Sequence, residues 1–336
     1  YTGIKEEHRA VRNNVGMFDV SHMGEFVISG EEALPYLQYV ITNDASKLVP
    51  GKALYTVMCK KNGGIIDDLL VYMLDENRYM LVVNAANIEK DFNWIASQNN
   101  FNARLVNKSD ETCLLAVQGP DSLKTLQKLT ETDLSSVSFY NFTVGSLAGY
   151  SNVILSATGY TGEKGFELYF DKDDTDPSEI WNAILDAGDE FDIKPAGLGA
   201  RDTLRLEMGL ALYGNDIDES TNPYEAKLNW LVKTDKGNFI GRQELLKIKE
   251  KGNKHSLAGF EMSDSKKIPR KNYQICNIEG EKIGHVTSGG LSVTLDKGIG
   301  MGYILNDYQE NKGNVFIKIR QKLTEAKLVK PPFIEK

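Results

Sequence analysis

Residues 55–72 read Tyr-Thr-Val-Met-Cys-Lys-Lys-Asn-Gly-Gly-Ile-Ile-Asp-Asp-Leu-Leu-Val-Tyr, and few folds accommodate such a stretch. Asn62-Gly63 separates two runs rich in Val, Ile, Leu, Met and Tyr, the short-range signature of a β-hairpin whose two central turn residues take positive φ. The second arm carries Asp67 and Asp68 into an apolar strand. Alternation places Ile66, Asp68, Leu70 and Tyr72 on one face and Asp67, Leu69 and Val71 on the other. The carboxylates therefore do not face each other, which argues against a proton-sharing dyad or a glycosidase-style pair. Each must find a partner or stay near water, because an unpaired buried charge is costly enough to shift its pKa until it neutralises. Spacing leaves two readings open: both bind backbone amides or Arg side chains structurally, or one points into a ligand cavity.

At 336 residues the chain is long enough for two or three domains. The 39 Lys and Arg against 47 Asp and Glu give a net charge of -8, which disfavours attraction to nucleic acid or an anionic membrane. No apolar run approaches a membrane span. Cys59, Cys113 and Cys276 lie far apart, as do His8, His22, His255 and His285, with none of the spacings of a metal site. A reducing compartment and a protein without metal ligands are expected.

Helical spacing predicts helices over residues 6–12, 31–41 and 88–95, the last capped by Asn87, and alternation predicts strands over 15–20, 26–29 and 78–84. Residues 26–106 thus form an α+β unit with two helices on one face of an antiparallel sheet. A strand over 112–117 and a helix over 122–129 follow. Gly159, Gly162 and Gly165 precede a strand and lack a Gly-Lys-Ser/Thr, so they are no phosphate loop; Glu167 lies in that strand, alternating with Phe166 and Leu168. Gly197 and Gly199 open a helix, but Asp202 stands where a dinucleotide fingerprint needs its third glycine. Arg201 near that helix start is unusual, because the dipole there favours anions; its fork of donors needs a specific partner. Residues 228–232 read as a strand, 239–251 as a solvated amphipathic helix. Six short alternating runs after Ser256 describe a small β-barrel or sandwich, in which Gly298, Gly300 and Gly302 mark close backbone approach.

Six stretches go further: Phe18-Asp19-Val20-Ser21-His22-Met23-Gly24-Glu25, Gly63-Gly64-Ile65-Ile66-Asp67-Asp68-Leu69, Val83-Asn84-Ala85-Ala86-Asn87, Thr158-Gly159-Tyr160-Thr161-Gly162-Glu163, Gly197-Leu198-Gly199-Ala200-Arg201-Asp202 and Leu212-Tyr213-Gly214-Asn215-Asp216-Ile217-Asp218. Together, and in this order, they closely resemble the aminomethyltransferase, or T-protein, family of the glycine cleavage system. The resemblance implies an α+β fold arranged as a three-domain cloverleaf around a central folate cavity, with a C-terminal small β-barrel or sandwich module. The expected domains are 1–25 plus 107–235, which bind folate, an inserted 26–106 carrying the Asp68 hairpin, and 236–336, a linker helix and the β module. It also implies transfer of a one-carbon unit from the aminomethyl-lipoyl arm of the H-protein to tetrahydrofolate, with release of ammonia and formation of 5,10-methylenetetrahydrofolate.

By the same resemblance Asp68 matches the catalytic carboxylate. Tyr55, Tyr72, Asn84, Tyr160, Glu167 and Arg201 match folate-pocket positions, with Met23 and Tyr140 as further lining residues. Tetrahydrofolate is then the acceptor substrate, no metal is required, and the lipoylated H-protein is the partner, with neither nucleic acid nor membrane involved. The location implied is bacterial cytoplasm, or the mitochondrial matrix in a eukaryote. Related families share the folate pocket: dimethylglycine and sarcosine dehydrogenase folate domains, dimethylsulfoniopropionate demethylase, and a non-enzymatic protein of iron–sulfur cluster maturation. No flavin domain is visible here, and the cysteine-bearing Lys-Gly-Cys-Tyr-x-Gly-Gln-Glu of the last reads Gly159-Tyr160-Thr161-Gly162-Glu163 instead. The family's usual stretch before Tyr1 is missing.

Overall fold

The computed structural model describes residues 1–310 and 314–335. Its strands are β1 (Gly16–Asp19), β2 (Gly24–Ser29), β3 (Ala53–Cys59), β4 (Ile65–Asp75), β5 (Arg78–Val83), β6 (Arg104–Asn107), β7 (Thr112–Gln118), β8 (Phe142–Leu147), β9 (Tyr150–Ser156), β10 (Gly165–Asp171), β11 (Lys194–Pro195), β12 (His255–Met262), β13 (Gln274–Cys276), β14 (Lys282–Ser292), β15 (Lys297–Leu305), β16 (Asn314–Ile319) and β17 (Lys322–Val329). They form three sheets, ordered β11-β1-β7-β10-β9-β8, β3-β4-β5-β2-β6, and a closed barrel β12-β15-β14-β13-β16-β17. The class is α+β, and of the two options for the C-terminal module the barrel is the one adopted. The chain divides into two compact units, Tyr1–Thr56 with Asp67–Arg201, and Val57–Ile66 with Asp202–Lys336.

In the first unit the six-stranded sheet buries Met17, Val117, Phe166, Leu168, Leu155 and the helix residues Ile180 and Ile184 in one core. That core fixes the register of β10, with Phe166 opposite Val117 and Glu167 opposite Ala116. Since Phe166, Leu168 and Phe170 face the core, period two delivers Glu167 and Tyr169 to the other face. The five-stranded sheet works the same way. Phe26 of β2 meets Phe92 of helix Ile88–Ser97 edge to face, centroids 5.4 Å apart, and Tyr36 of helix Ala33–Val40 donates to the Ile95 carbonyl. Val71 pairs with Leu81 and Leu81 with Phe26, so Asp67, Leu69 and Val71 look toward the helices while Asp68, Leu70 and Tyr72 look away.

Three local expectations are corrected. The hairpin turn takes positive φ at Gly63 only. Gly63 N–H donates to the Lys60 carbonyl and Lys60 N–H to the Gly64 carbonyl, a three-residue loop ending in a left-handed glycine, whose twist suits antiparallel strands as well as the two-residue turn does. Asn87 begins helix Ile88–Ser97 but makes no side-chain cap; its amide donates instead to Asp67 at 2.8 Å. Residues 228–232 form a 3-10 turn, Asn229–Leu231, with Trp230 half exposed, rather than a strand. The run has only one buried hydrophobic position, Leu231, and so lacks the alternating buried face of a strand.

In the second unit Phe260, Ile275, Val286, Ile304 and Ile317 fill the barrel. The buried Arg205 guanidinium beside it donates to Asp216 and Ser288, each at 2.8 Å, and pairs with Asp202. Asp216, prominent in the sequence motif 212–218, is thus a structural counter-ion, also taking hydroxyls from Thr287 and Ser288. The hairpin tip Val57–Ile66 belongs here, with Ile65 N–H bonded to the Thr221 carbonyl. A Cβ on Gly302 would lie 2.4 Å from the His285 carbonyl oxygen, whereas one on Gly290 would meet Leu206 at an ordinary 3.5 Å. Gly302→Ala is therefore expected to cost about 1–3 kcal/mol and Gly290→Ala much less; equal melting temperatures for the two variants would contradict this account of the barrel.

Candidate functional site

The site starts from the problem that two consecutive acids pose in a buried strand. Asp67, fully enclosed, accepts the Asn84 backbone N–H at 3.0 Å, the Asn84 side-chain amide at 2.8 Å and the Asn87 amide at 2.8 Å. The same Asn84 Nδ2 reaches around the strand to Asp68 Oδ1 at 2.9 Å and to the Asp68 carbonyl at 3.1 Å. The other Asp68 oxygen accepts the Tyr55 hydroxyl at 2.8 Å. Opposite-face projection thus holds, yet one amide links both carboxylates. Burial, and after it the Asp67 charge, pushes Asp68 up to about 7, while the Tyr55 and Asn84 hydrogen bonds pull it back toward the carboxylate range.

Across from this hairpin arm, the loop from Thr158 to Glu163 is wound around two fixed side chains. Gln118 donates to the Thr158 carbonyl and accepts the Thr161 hydroxyl, and Arg12 donates to the Thr161 carbonyl and to Glu163. A Cβ on Gly159 would lie 2.0 Å from Gln118 Oε1, which accounts for the glycine. The loop so held presents the Tyr160 ring, on which the Arg201 guanidinium stacks at 4.4 Å. Helix Leu198–Glu207 begins under the buried Glu7 carboxylate, which takes the Gly197 N–H at 3.0 Å. The acid expected at a helix start is present, and Arg201 finds its partner in an aromatic face.

Tyr160, Arg201, Glu167, Gln118, Phe18 and Val20 line a cleft. The described hydrogen bonds to Glu167, from Thr158 at 2.5 Å and from Tyr169 at 3.4 Å, both go to Oε2. Burial raises Glu167 above its ordinary value, and the Thr158 bond and the Arg201 charge oppose that. Tyr72 is fully enclosed; its hydroxyl bonds Thr158 at 3.1 Å and Tyr169 at 3.0 Å, so it braces the Glu167 end from behind. Tyr140, half-buried with φ 63°, is pushed up to about 12 by burial and then by the Glu167 and Asp68 charges. Met23, half-buried, ends the turn that joins β1 to β2, its N–H on the Val20 carbonyl. Among the described residues no group of three His, Cys, Asp or Glu is placed to hold a metal ion.

Two acids escaped the sequence reading. Glu25 lies opposite Val82, and Val82 opposite Leu70, so it shares the sheet face of Asp68. No protein donor reaches either of its oxygens, and burial, then Glu167, pushes it up to about 9. Asp91, one turn beyond Asn87, is also enclosed and receives no donor. The signals that point to them are alternation with Phe26 for the first and helical spacing from Asn87 for the second.

The chain is similar to known proteins along its length. The GCVT N-terminal domain model matches residues 1–236, and the glycine cleavage T-protein C-terminal barrel domain model matches residues 255–335. An aminomethyltransferase from Bacteroides thetaiotaomicron is 54% identical over 99% of this chain and 92% of its own length. Another from Halothermothrix orenii is 52% identical over the same shares. The crystal structure of glycine cleavage system aminomethyltransferase T from Bartonella henselae is similar with a TM-score of 0.91 at 31% identity, covering 99% of this chain and 90% of that one. With both domain models matched in order and relatives of this identity along its whole length, the chain belongs to the glycine cleavage T-protein family.

Proposed function

We propose that this chain is a tetrahydrofolate-dependent aminomethyltransferase of glycine cleavage, in which Asp68 is the catalytic carboxylate. The observation that carries the reading is the fixed Asp68 side chain, each oxygen held by one donor, Tyr55 on one side and Asn84 on the other. An aminomethyl group that loses ammonia develops an iminium-like cation, and a carboxylate already oriented stabilises that charge without reorganising in the transition state. Asp68 acts mainly by electrostatics and orientation. Asp67, turned toward the helices, serves the fold.

The residues fit a reduced folate. Its amino-pyrimidine edge presents adjacent N–H donors, and Glu167, whose Oε1 accepts none of the described bonds, can take one of them while Oε2 takes a second. Tyr160 and Arg201 supply an aromatic wall and a cation for a pterin oxygen or the glutamyl carboxylate. Tyr55, Asn84, Met23 and Tyr140 complete the lining, and Tyr72 acts through Thr158. When bound, tetrahydrofolate supplies the nitrogens that accept the one-carbon unit. The donor is the aminomethylated lipoyl arm of the H-protein, and bacterial relatives support a cytoplasmic location. The division into 1–25 with 107–235, 26–106 and 236–336 is supported by the three sheets, one to each part, with the limits at 25/26 and 106/107 met to within two residues by β2 and β6.

Asp68→Asn is expected to lower turnover by about 10²–10³, measured as tetrahydrofolate-dependent ammonia release from aminomethylated H-protein, while tetrahydrofolate still raises the melting temperature of the variant. Wild-type turnover at matched folate saturation would refute the role. The ionised form does the work, so kcat/KM should rise with pH through about 7, the value to which Asp68 is pushed. Tyr55→Phe removes a bond that lowers this value and should displace the limb to higher pH; an unmoved or downward-shifted limb would contradict the assignment.

A further inference from the structure

Asp91 is a buried acid that the reaction does not use. It sits on helix Ile88–Ser97 four residues after Asn87, so both side chains share the helix face that looks onto Asp67. Its carboxyl is wholly enclosed, and no N–H or hydroxyl of the protein donates to either oxygen. What it faces is Asp67: Asn87, one turn earlier on the same helix face, bonds the Asp67 carboxylate at 2.8 Å, and the Asp67 and Asp91 carboxyls act on one another. Two ionised carboxylates cannot share an enclosed space, whereas a single proton between them turns repulsion into an O–H···O bond. The neighbours decide where that proton sits. Asp67 already accepts three N–H bonds, two from Asn84 and one from Asn87, so it is the acceptor. Asp91, with no donor of its own, is the acid.

We propose that Asp91 is a positioning residue for Asp68: as a carboxylic acid it donates its proton to Asp67, and Asp67, so held, keeps the Asn84 amide turned toward Asp68. An Asn84 side chain rotated by half a turn would aim its carbonyl at two carboxylates; the saturated Asp67 shell selects the productive orientation. The titratable groups facing Asp91 among the described residues are Asp67 from β4 and Lys90 from its own helix, the latter with Nζ 3.7 Å from Asp91 Oδ1. Burial and the Asp67 contact outweigh that cation and push Asp91 up to about 10. The inference rests on the reading of Asp68 given above.

The experiment compares Asp91→Asn, which retains a donor toward Asp67, with Asp91→Leu, which removes it. Asp91→Leu is expected to lose about tenfold in kcat, the lower end of the range for residues that orient a ligating shell. Its KM for tetrahydrofolate should stay unchanged and its acid limb should be displaced, while Asp91→Asn restores both. Wild-type kcat in the Leu variant, or an equal loss in the Asn variant, overturns the proposal. Should Asp91→Leu fail to fold, the unfolding free energy of wild type and Asp91→Asn between pH 5 and about 9 decides. A native acid raised above its unfolded value keeps a proton that the unfolded chain has released, so wild-type stability falls with rising pH by one proton's slope more than that of Asp91→Asn. Glu25 and Asp68 contribute alike to both proteins and cancel. Parallel curves would mean an ionised Asp91 paired with Lys90, and the proposal fails. This arm involves no turnover, so it can fail while Asp68→Asn still behaves as a catalytic variant should, and the reverse.

Discussion

One amide group between two carboxylates is the interaction on which the rest depends. Nδ2 of Asn84 meets Asp67 at 2.8 Å and Asp68 at 2.9 Å. Consecutive acids in a buried strand repel each other and lose hydration, and without compensation such a strand would move out of the sheet or its acids would neutralise. Three N–H donors on Asp67, with a tyrosine hydroxyl and an amide on Asp68, hold the strand in place. The compensation is unequal by construction. Asp67 is saturated on the helix side, and Asp68 is held by one bond per oxygen on the open side, with its proton affinity raised into the physiological range.

That inequality needs both layers of the five-stranded sheet. Helix Ile88–Ser97 brings Asn87 and Asp91 to Asp67, and the Phe26–Phe92 contact ties the helix to β2. The loop from Thr158 to Glu163, pinned by Gln118 and Arg12, brings Tyr160 and the Thr158 hydroxyl to the Glu167 end. The first unit thereby holds a carboxylate at one end of the constellation and an acid, a cation and an aromatic face at the other, with the Tyr72 hydroxyl bonded to Thr158 behind the second end. A site of this kind tolerates no free rotation of its acids, which is why so many of its bonds are side chain to side chain.

Alternation made much of this legible before any coordinate. It put Asp68 and Tyr72 on one face, Glu167 on the face opposite Phe166, and six short strands after Ser256, whose order in the barrel it did not give. Spacing could not reveal bonds across more than one element. Asn87 reads as a cap because capping asparagines and bridging asparagines look alike in sequence; its Nδ2 donates to Asp67, and its side-chain oxygen caps no helix N–H. Arg201 was marked by its conflict with the helix dipole, but the aromatic partner lies 41 residues away in the chain and only the fold shows it. The 3-10 turn at Trp230 shows the opposite failure, an apolar run that satisfied the strand pattern without an alternating buried face. Glu25 and Asp91 carried the right periodicity but no residue type that would separate a solvated acid from an enclosed one.

A crystal structure of the chain with tetrahydrofolate tests the central claim most directly. The account predicts the pterin against Tyr160 with its amino-pyrimidine edge on Glu167, and the Asp68 carboxylate, still bonded to Tyr55 and Asn84, facing the folate nitrogens within a few ångströms. A ligand seated elsewhere, or an Asp68 carboxylate turned from it into main-chain amides, would contradict the account.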